Sequence, residues 1–278
     1  MRDAFAYCAE LVRAADRDRY LAALFAPAQY RAALHALYAF NSEVARVREA
    51  ARQALPGEIR LQWWSDVLAG ERQGEASANP VASALLTTME QHQVPAARLL
   101  DLVEARRFDL YDEPMQTIAD LEAYAKRTSS ALFALAAQIL VGGEAQAVAE
   151  PAGIAYGIAA LLLAFPQHAA RRQLYVPVEI LQRHQVQIAD LLSGRSPAGL
   201  NGAFAELRNL ARHHLVTARE SMAGLSAAVL PAFLPLALVR PWLDRLDRSN
   251  AFAPAEIAPW RRQWLIWRAA RNPARIAG

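Results

Sequence analysis

The acidic side chains that could hold a metal ion are few and unevenly spaced. Glu43 and Glu49 are six residues apart, and at that separation two carboxylates do not share a helix face well. Asp109 and Asp112 lie near the predicted end of a helix, where a solvated terminus accounts for them about as well as a relocated metal site does. Spacing therefore argues against a metal site at Glu43 and Glu49, and leaves both interpretations open for Asp109 and Asp112.

The histidines and the single cysteine do not predict a metal site either. Cys8 is the only cysteine, so the chain can form no intramolecular disulfide and no cysteine-rich zinc site. His213 and His214 are adjacent, and adjacent side chains on a helix point in different directions. A lone thiol fits a reducing compartment.

The composition favours a folded protein that does not bind nucleic acid. Of the 278 residues, 54% are hydrophobic and 21% are charged, which is enough apolar material for a large core. The formal charge is only +3, far from the dense basic field of a nucleic-acid-binding protein. The N-terminal residues contain no long uncharged segment, so we expect a cytoplasmic protein. The most apolar stretch, 225–239, contains Pro231 and Pro235 and is shorter than the roughly 20 residues of a membrane span.

Helical periodicity runs through almost the whole chain, and strand signals are scarce. The expected helices cover about 3–15, Pro27 to about Ala54, a run through Trp63 and Leu68 that stops near Gly70, 80–94, 96–111, 117–140, 145–165, 202–225, 226–239 and 256–271. We expect a break at Pro56–Gly57, short helical pieces over 177–192 and a loop at 193–201. The 145–165 helix is apolar on most sides, so we expect it to be buried. Since no repeat or linker divides the chain, 1–278 is interpreted as one all-α domain.

Two passages resemble the squalene/phytoene synthase family. The first is Pro27-Ala28-Gln29-Tyr30-Arg31, followed by Leu37-Tyr38-Ala39-Phe40, and the second is Gln173-Leu174-Tyr175-Val176-Pro177, in which Gln173 stands where the family has an arginine. The likeness covers most of the chain and implies the isoprenoid synthase fold, an all-α bundle of roughly ten or more helices around a central cavity. In that family, two aspartate motifs on facing helices hold the Mg²⁺ ions that neutralise a diphosphate leaving group.

The metal-binding positions that the resemblance implies carry unsuitable residues here. Counted from the two passages, the five expected aspartates fall on Ala45, Arg46, Glu49, Ala164 and His168. Only Glu49 is a carboxylate, and Arg46 would repel a cation by about 1 kcal/mol or more at ~4 Å. The resemblance therefore implies no metal and no diphosphate ionisation, unless atypical ligands bind Mg²⁺.

Further strings resemble a degenerate branch of this superfamily. They are Ala39-Phe40-Asn41 with Glu43-Val44-Ala45, Tyr124 with Thr128-Ser129-Ser130, and Pro166-Gln167-His168 with Arg171-Arg172. That branch includes the mitochondrial complex I assembly factor related to phytoene synthase, and its bacterial counterparts. The resemblance implies a role in assembling NADH:ubiquinone oxidoreductase, with complex I subunits as partners.

Several residues near the implied cavity are candidates for ligand binding. Tyr38, Arg46, Arg48, Arg171 and Arg172 could bind the anionic head group of a lipid or an isoprenoid without metal. The arginines could equally form salt bridges with Glu43, Glu49 or Asp109 on a solvated face. His168 could be a ligand or an acid–base group, or a partly buried histidine bonded to its neighbours.

The last expected helix carries a stripe of tryptophans. Trp260, Trp264 and Trp267 share one face and are accompanied by Arg261, Arg262, Arg268 and Arg271. An aromatic face beside basic residues is typical of a helix at a membrane interface. It is also typical of a C-terminal helix that packs on the core, so both peripheral contact with the inner face of the membrane and packing stay open.

Three functions are compatible with the sequence. The first is a non-catalytic assembly or scaffold protein, the second an active head-to-head prenyl transferase with atypical metal ligands, and the third a lipid- or isoprenoid-binding protein. An open apolar tunnel would favour the second and third, and a cavity filled by side chains would favour the first.

Overall fold

The computed structural model describes residues 2–50, 53–143, 145–252 and 257–278, with the backbone alone at Arg2. Every regular element in these ranges is helical, which confirms the all-α prediction. The helices are α1 Arg2–Ala15, α2 Arg17–Ala23, α3 Ala28–Ala45, α4 Val47–Ala50, α5 Ala54–Leu68, α6 Gln73–Ala78, α7 Pro80–His92, α8 Ala96–Arg106, α9 Ile118–Ala125, α10 Ala131–Val141, α11 Gln146–Leu163, α12 Phe165–Ala170, α13 Val178–Arg183, α14 Ile188–Leu192, α15 Leu200–Ser221, α16 Leu230–Phe233, α17 Val239–Leu246 and α18 Pro259–Arg271. A π-helical turn, Lys126–Ser130, joins α9 to α10, and 3₁₀ turns cover Arg107–Leu110, Leu234–Leu238 and Pro273–Arg275.

The expected helix from Pro27 to Ala54 is interrupted at Arg46. α3 ends at Ala45, and Arg46 has φ −101° and ψ 9°, outside the helical range, before α4 begins. The predicted break at Pro56–Gly57 is wrong, because both residues lie inside α5, which begins at Ala54. Proline is tolerated there because the first-turn N–H groups of a helix have no intrahelical acceptor.

The expected helix over 226–239 is also replaced by shorter pieces. Pro231 lies in the first turn of α16, and Pro235 lies in the first turn of the 3₁₀ segment that follows. Each proline lacks an N–H donor and clashes with a preceding carbonyl, so a continuous helix cannot pass through both positions.

Helix α11 forms the centre of the fold and contacts α10, α15, α17 and the π turn. A Cβ atom at Gly153 would lie 2.2 Å from the Cα of Ser130, so only glycine permits this approach. The Ser130 hydroxyl donates a hydrogen bond to the backbone carbonyl of Glu150 at 2.7 Å. These contacts fix the N-terminal half of α11 against the π turn, which also lines the cavity described below.

α11 also has the length and composition of a membrane-spanning helix, with a mean hydropathy of 1.4 over Gln146–Leu163. Within the protein, 67% of this segment is buried. A core helix has the same properties, and the predicted central position of the 145–165 helix is confirmed.

Candidate functional site

A cavity of about 440 Å³ opens between the C-terminal end of α3, the start of α2, the π turn and the C-terminal half of α11. The volume lies in the range of small-molecule sites, ~300–1,000 Å³. A second, apolar cavity between Leu121, Ile158 and Leu207 measures only about 10 Å³, roughly the space of one water molecule. The interior between Leu121, Ile158 and Leu207 is therefore almost completely filled by side chains.

The structure brings the two degenerate motifs together around this cavity. Ala45 and Arg46 line it from α3, and Ala164 and His168 line it from the end of α11 and from α12. Ala160, one turn before Ala164, also faces it. The counting of positions from the two sequence passages thus locates a single site.

Glu49, the one carboxylate left, is bound by two arginines. The Nε of Arg46 donates to one oxygen of Glu49 at 3.1 Å, and an Nη of Arg171 donates to the other at 2.8 Å. Partial burial alone would raise the pKa of Glu49, but these hydrogen bonds from Arg171 and Arg46 outweigh it and the pKa is lowered. Both oxygens of the ionised carboxylate are already used by protein donors.

These residues do not fit the Mg²⁺ ions that the family resemblance implies. Mg²⁺ requires oxygen ligands in near-octahedral geometry, whereas the motif positions present two methyl groups, a guanidinium and an imidazole. Over the described ranges, no group of three or more His, Cys, Asp or Glu side chains is arranged to hold a metal ion.

His168 is a neutral side chain in the cavity wall. Its ring packs 4.7 Å from the ring of Tyr175, and burial lowers its pKa to about 4. Its Nδ1 is buried and has no hydrogen-bond partner in the described part of the protein. The side chain therefore carries no charge at neutral pH and can still exchange a hydrogen bond with a ligand.

Arg19 is a cavity residue that the sequence analysis did not single out. It is 8% exposed, its guanidinium bonds Asp16 at 2.5 Å, and it stacks 4.7 Å above the ring of Tyr156. Asp16 also accepts the backbone N–H of Arg19 and so caps α2. Burial alone would lower the pKa of Arg19, but Tyr156 and Asp16 raise it, so the cation is maintained. The i, i+3 spacing of Asp16 and Arg19 is the one sequence signal for this pair.

A buried polar network supports the wall of the cavity behind Arg106. Asp109 is only 6% exposed, which contradicts the solvated helix end considered for it above. It accepts hydrogen bonds from the hydroxyl of Tyr175 at 2.6 Å, from the hydroxyl of Tyr124 at 2.8 Å and from Arg106 at 3.2 Å. Gln173 donates to the backbone carbonyl of Asp109 at 2.8 Å. Arg106 and Asp109 are only three residues apart, but sequence reasoning missed the network because its other members join it through tertiary packing.

The ionisation states in this network follow from burial and charge. Burial, reinforced by Tyr124 and Asp109, raises the pKa of Tyr175 well above its usual value. Burial alone would lower the pKa of Arg106, but Tyr124 and Asp109 raise it. The phenols therefore stay protonated and donate, while Arg106 keeps its charge beside the cavity.

The other predicted ligand-binding residues lie outside the cavity lining. Tyr38 is 2% exposed and lies under Arg19, 5.9 Å from ring centroid to guanidinium carbon. Arg48 bonds Asp112 at 2.7 Å and the carbonyl of Leu110 at 2.9 Å.

Arg171 bonds Glu49, and Arg172 approaches Asp112 at 3.7 Å. All four predicted arginines are therefore engaged in ion pairs, and Arg46 is the one of the four that faces the cavity. Glu43, considered above as a metal ligand, pairs with Arg60 at 2.8 Å.

The tryptophan face of α18 is exposed. Trp260, Trp264 and Trp267 are 70%, 46% and 44% exposed, whereas the helix packs on the core through Leu265 and Ile266. The packing alternative is therefore wrong for the tryptophans. Stacking arginines flank the face, since Arg268 lies 4.5 Å above Trp264 and Arg271 lies 4.6 Å above Trp267.

The fold and the paired motif positions define a protein of the isoprenoid synthase class. The squalene/phytoene synthase family matches residues 12–268, and the chain belongs to that family. A crystal structure of a dehydrosqualene synthase in complex with ligand has the same fold, with a TM-score of 0.83, 17% identity, and 97% of this chain and 96% of that chain covered.

Among sequences, the chain is 30% identical to NADH dehydrogenase (ubiquinone) complex I, assembly factor 6, of Rattus norvegicus over 250 residues, which are 89% of this chain and 75% of the relative. The human protein of the same name is 30% identical over 246 residues, 88% of this chain and 74% of the relative. The phytoene synthase of Thermus thermophilus is 29% identical over 283 residues, 96% of this chain and 94% of the relative.

Proposed function

We propose that this protein assists the assembly of respiratory complex I and does not couple prenyl diphosphates. The absence of prenyl coupling is supported by the chemistry of the motif positions. Ala45, Arg46, Ala164 and His168 face the cavity, and none of them is a carboxylate. The assembly role is supported by the relatives of the same family that are named complex I assembly factors.

The charge of the leaving group explains why the motif positions matter. Ionisation of an allylic diphosphate leaves a polyanion, and metal ions normally neutralise it in the transition state. Here the carboxylates needed to fix those ions are replaced, and Glu49 is held by Arg46 and Arg171. An arginine cannot substitute for the missing carboxylates, because it repels the same cations.

The prenyl transferase alternative is disfavoured by the same facts. A lipid or isoprenoid ligand remains compatible with the cavity, because about 440 Å³ of space is retained. The filled region near Leu121 and Ile158 limits how far an apolar chain could extend.

Deleting the gene tests the assembly role. We expect a severalfold loss of assembled complex I, measured by in-gel NADH dehydrogenase activity on native gels, with succinate dehydrogenase unchanged as the internal control. Complementation with the wild type and with Glu49→Ala should both restore the complex, because the role needs no metal ligand. Unchanged complex I in the deletion strain would eliminate the assembly role.

We also infer that α18 contacts the surface of an anionic membrane. Its exposed tryptophans suit the interfacial region, and its arginines complement acidic head groups. The whole helix contains four arginines and no acidic residue. Ion pairing between Arg262 and Asp18 ties the helix to α2, so the tryptophan face is held outward.

Vesicle co-sedimentation tests this contact. Replacing Trp260, Trp264 and Trp267 together with alanine should reduce partitioning onto vesicles rich in phosphatidylglycerol at least tenfold. Leu55→Ala/Ile59→Ala is the matched control, because these side chains are 70% and 64% exposed on a different helix. Equal losses in both variants, or binding that raised salt does not weaken, would contradict the inference.

A further inference from the structure

The cavity that the family uses for metal ions is lined here by guanidinium groups. Arg19, Arg46 and Arg106 face it, and Asp16 is the only acidic residue among its lining residues in the described ranges. Each of these guanidinium groups has one carboxylate partner, Asp16, Glu49 or Asp109, and a guanidinium carries five N–H donors, so an anion could be bound by donors that these pairs do not use. The carboxylates that bond Arg46 and Arg106, those of Glu49 and Asp109, lie outside the lining.

Two nitrogen atoms at this cavity lack partners. The Nε of Arg106 and the Nδ1 of His168 are both buried without a hydrogen bond within the described chain, and both residues belong to the lining. A buried polar atom without a hydrogen-bond partner is destabilising. A bound oxyanion would supply acceptors for an arginine N–H and for a histidine that carries its proton on Nδ1.

We propose that the cavity binds a phosphate monoester directly, without a divalent cation. Such a group carries about −1.5 to −2 charges at neutral pH and three acceptor oxygens, which can accept charge-assisted hydrogen bonds from the guanidinium groups of the lining. The inference is independent of the assembly role.

The non-polar part of the lining indicates what carries the phosphate. Leu132, Leu161 and Ala160 line the same cavity as the arginines, so an amphiphile could place its phosphate among the guanidinium groups and the start of its chain against these side chains. A free phosphate ion would use the arginines alone. The shared chemistry is the phosphate group, and the two sources differ in affinity.

Titration calorimetry of the full chain distinguishes these sources. The probes are dihexanoyl phosphatidic acid, dihexanoyl phosphatidylcholine and inorganic phosphate, each below its micellar range and each with EDTA or with Mg²⁺. We expect phosphatidic acid to bind equally well in EDTA and in Mg²⁺, and phosphatidylcholine not to bind. Weaker binding of inorganic phosphate assigns a lipid phosphate, and equal binding assigns the free ion.

Variants separate the cavity from the charged surface around it. Arg46→Gln should weaken phosphatidic acid binding at least tenfold, and its 61% exposed side chain makes the change tolerable for folding. Arg171→Gln is the matched control, since Arg171 bonds the same Glu49 but lies outside the lining, and it should change the affinity less than twofold. Ala160→Phe should abolish binding by filling the cavity while leaving every charge in place.

Three results would overturn the proposal. They are no binding of any phosphate probe, binding that requires Mg²⁺, and equal weakening by Arg46→Gln and Arg171→Gln. Far-ultraviolet circular dichroism of each variant confirms that the affinities refer to folded protein. If Ala160→Phe does not fold, Arg46→Gln against Arg171→Gln still decides the question.

Discussion

Asp109→Ala is expected to lower the free energy of unfolding by about 3–5 kcal/mol, the cost of breaking a buried ion pair by removing one partner. The carboxylate is 6% exposed and is the shared acceptor for Arg106, Tyr124 and Tyr175. Without it, a buried cation loses its counter-charge and two phenols lose their acceptor. The Arg106 side chain is only 16% exposed, so it cannot replace the lost ion pair by contacts with water unless it leaves the cavity wall.

Urea denaturation of the full chain measures this effect, with Asp112→Ala as the control. Asp112 is a carboxylate three residues along, but its side chain is 48% exposed and pairs with Arg48 and Arg172 at the surface. Its removal should cost at most about 1 kcal/mol. The loss of unfolding free energy in Asp109→Asn should lie between those of Asp109→Ala and Asp112→Ala, since the amide can still accept hydrogen bonds but carries no charge. Similar midpoints for Asp109→Ala and Asp112→Ala would refute the buried network.

The helical class could be read from local patterns, because three- and four-residue apolar spacing indicates helices. The location of the site came from the resemblance to the squalene/phytoene synthase family. Counting from the two passages that carry it identified Ala45, Arg46, Ala164 and His168, and the structure places all four around one cavity. The helix ends were less accurate, as at Pro56, because a proline signals either a break or a first turn.

The electrostatics of the site could not be predicted in the same way. Arg19 and Arg106 reach the cavity from α2 and α8, and nothing in their local sequence distinguishes them from the solvated arginines elsewhere. Asp109 is buried because Tyr124 and Tyr175, 15 and 66 residues away, pack around it. Whether a charged residue is a surface group or a buried partner depends on such long-range contacts.

The second large effect concerns prenyl-diphosphate ionisation, which we expect this protein not to catalyse. A working enzyme of this family would release pyrophosphate many orders of magnitude faster than the uncatalysed reaction. In this chain the carboxylate ligands of the metal ions are replaced at Ala45, Arg46, Ala164 and His168. The carboxylate of Glu49 is hydrogen-bonded to two arginines. Changing Glu49 to alanine should therefore leave the rate of pyrophosphate release unchanged.

Pyrophosphate release from farnesyl or geranylgeranyl diphosphate is the most direct measurement of this claim. The purified protein is incubated with each diphosphate in Mg²⁺, Mn²⁺ or EDTA, with an active phytoene synthase as the positive control. We expect release at the rate of the protein-free buffer under all three conditions, for the wild type and for Glu49→Ala alike. Metal-dependent release by the wild type that Glu49→Ala abolishes would contradict this expectation.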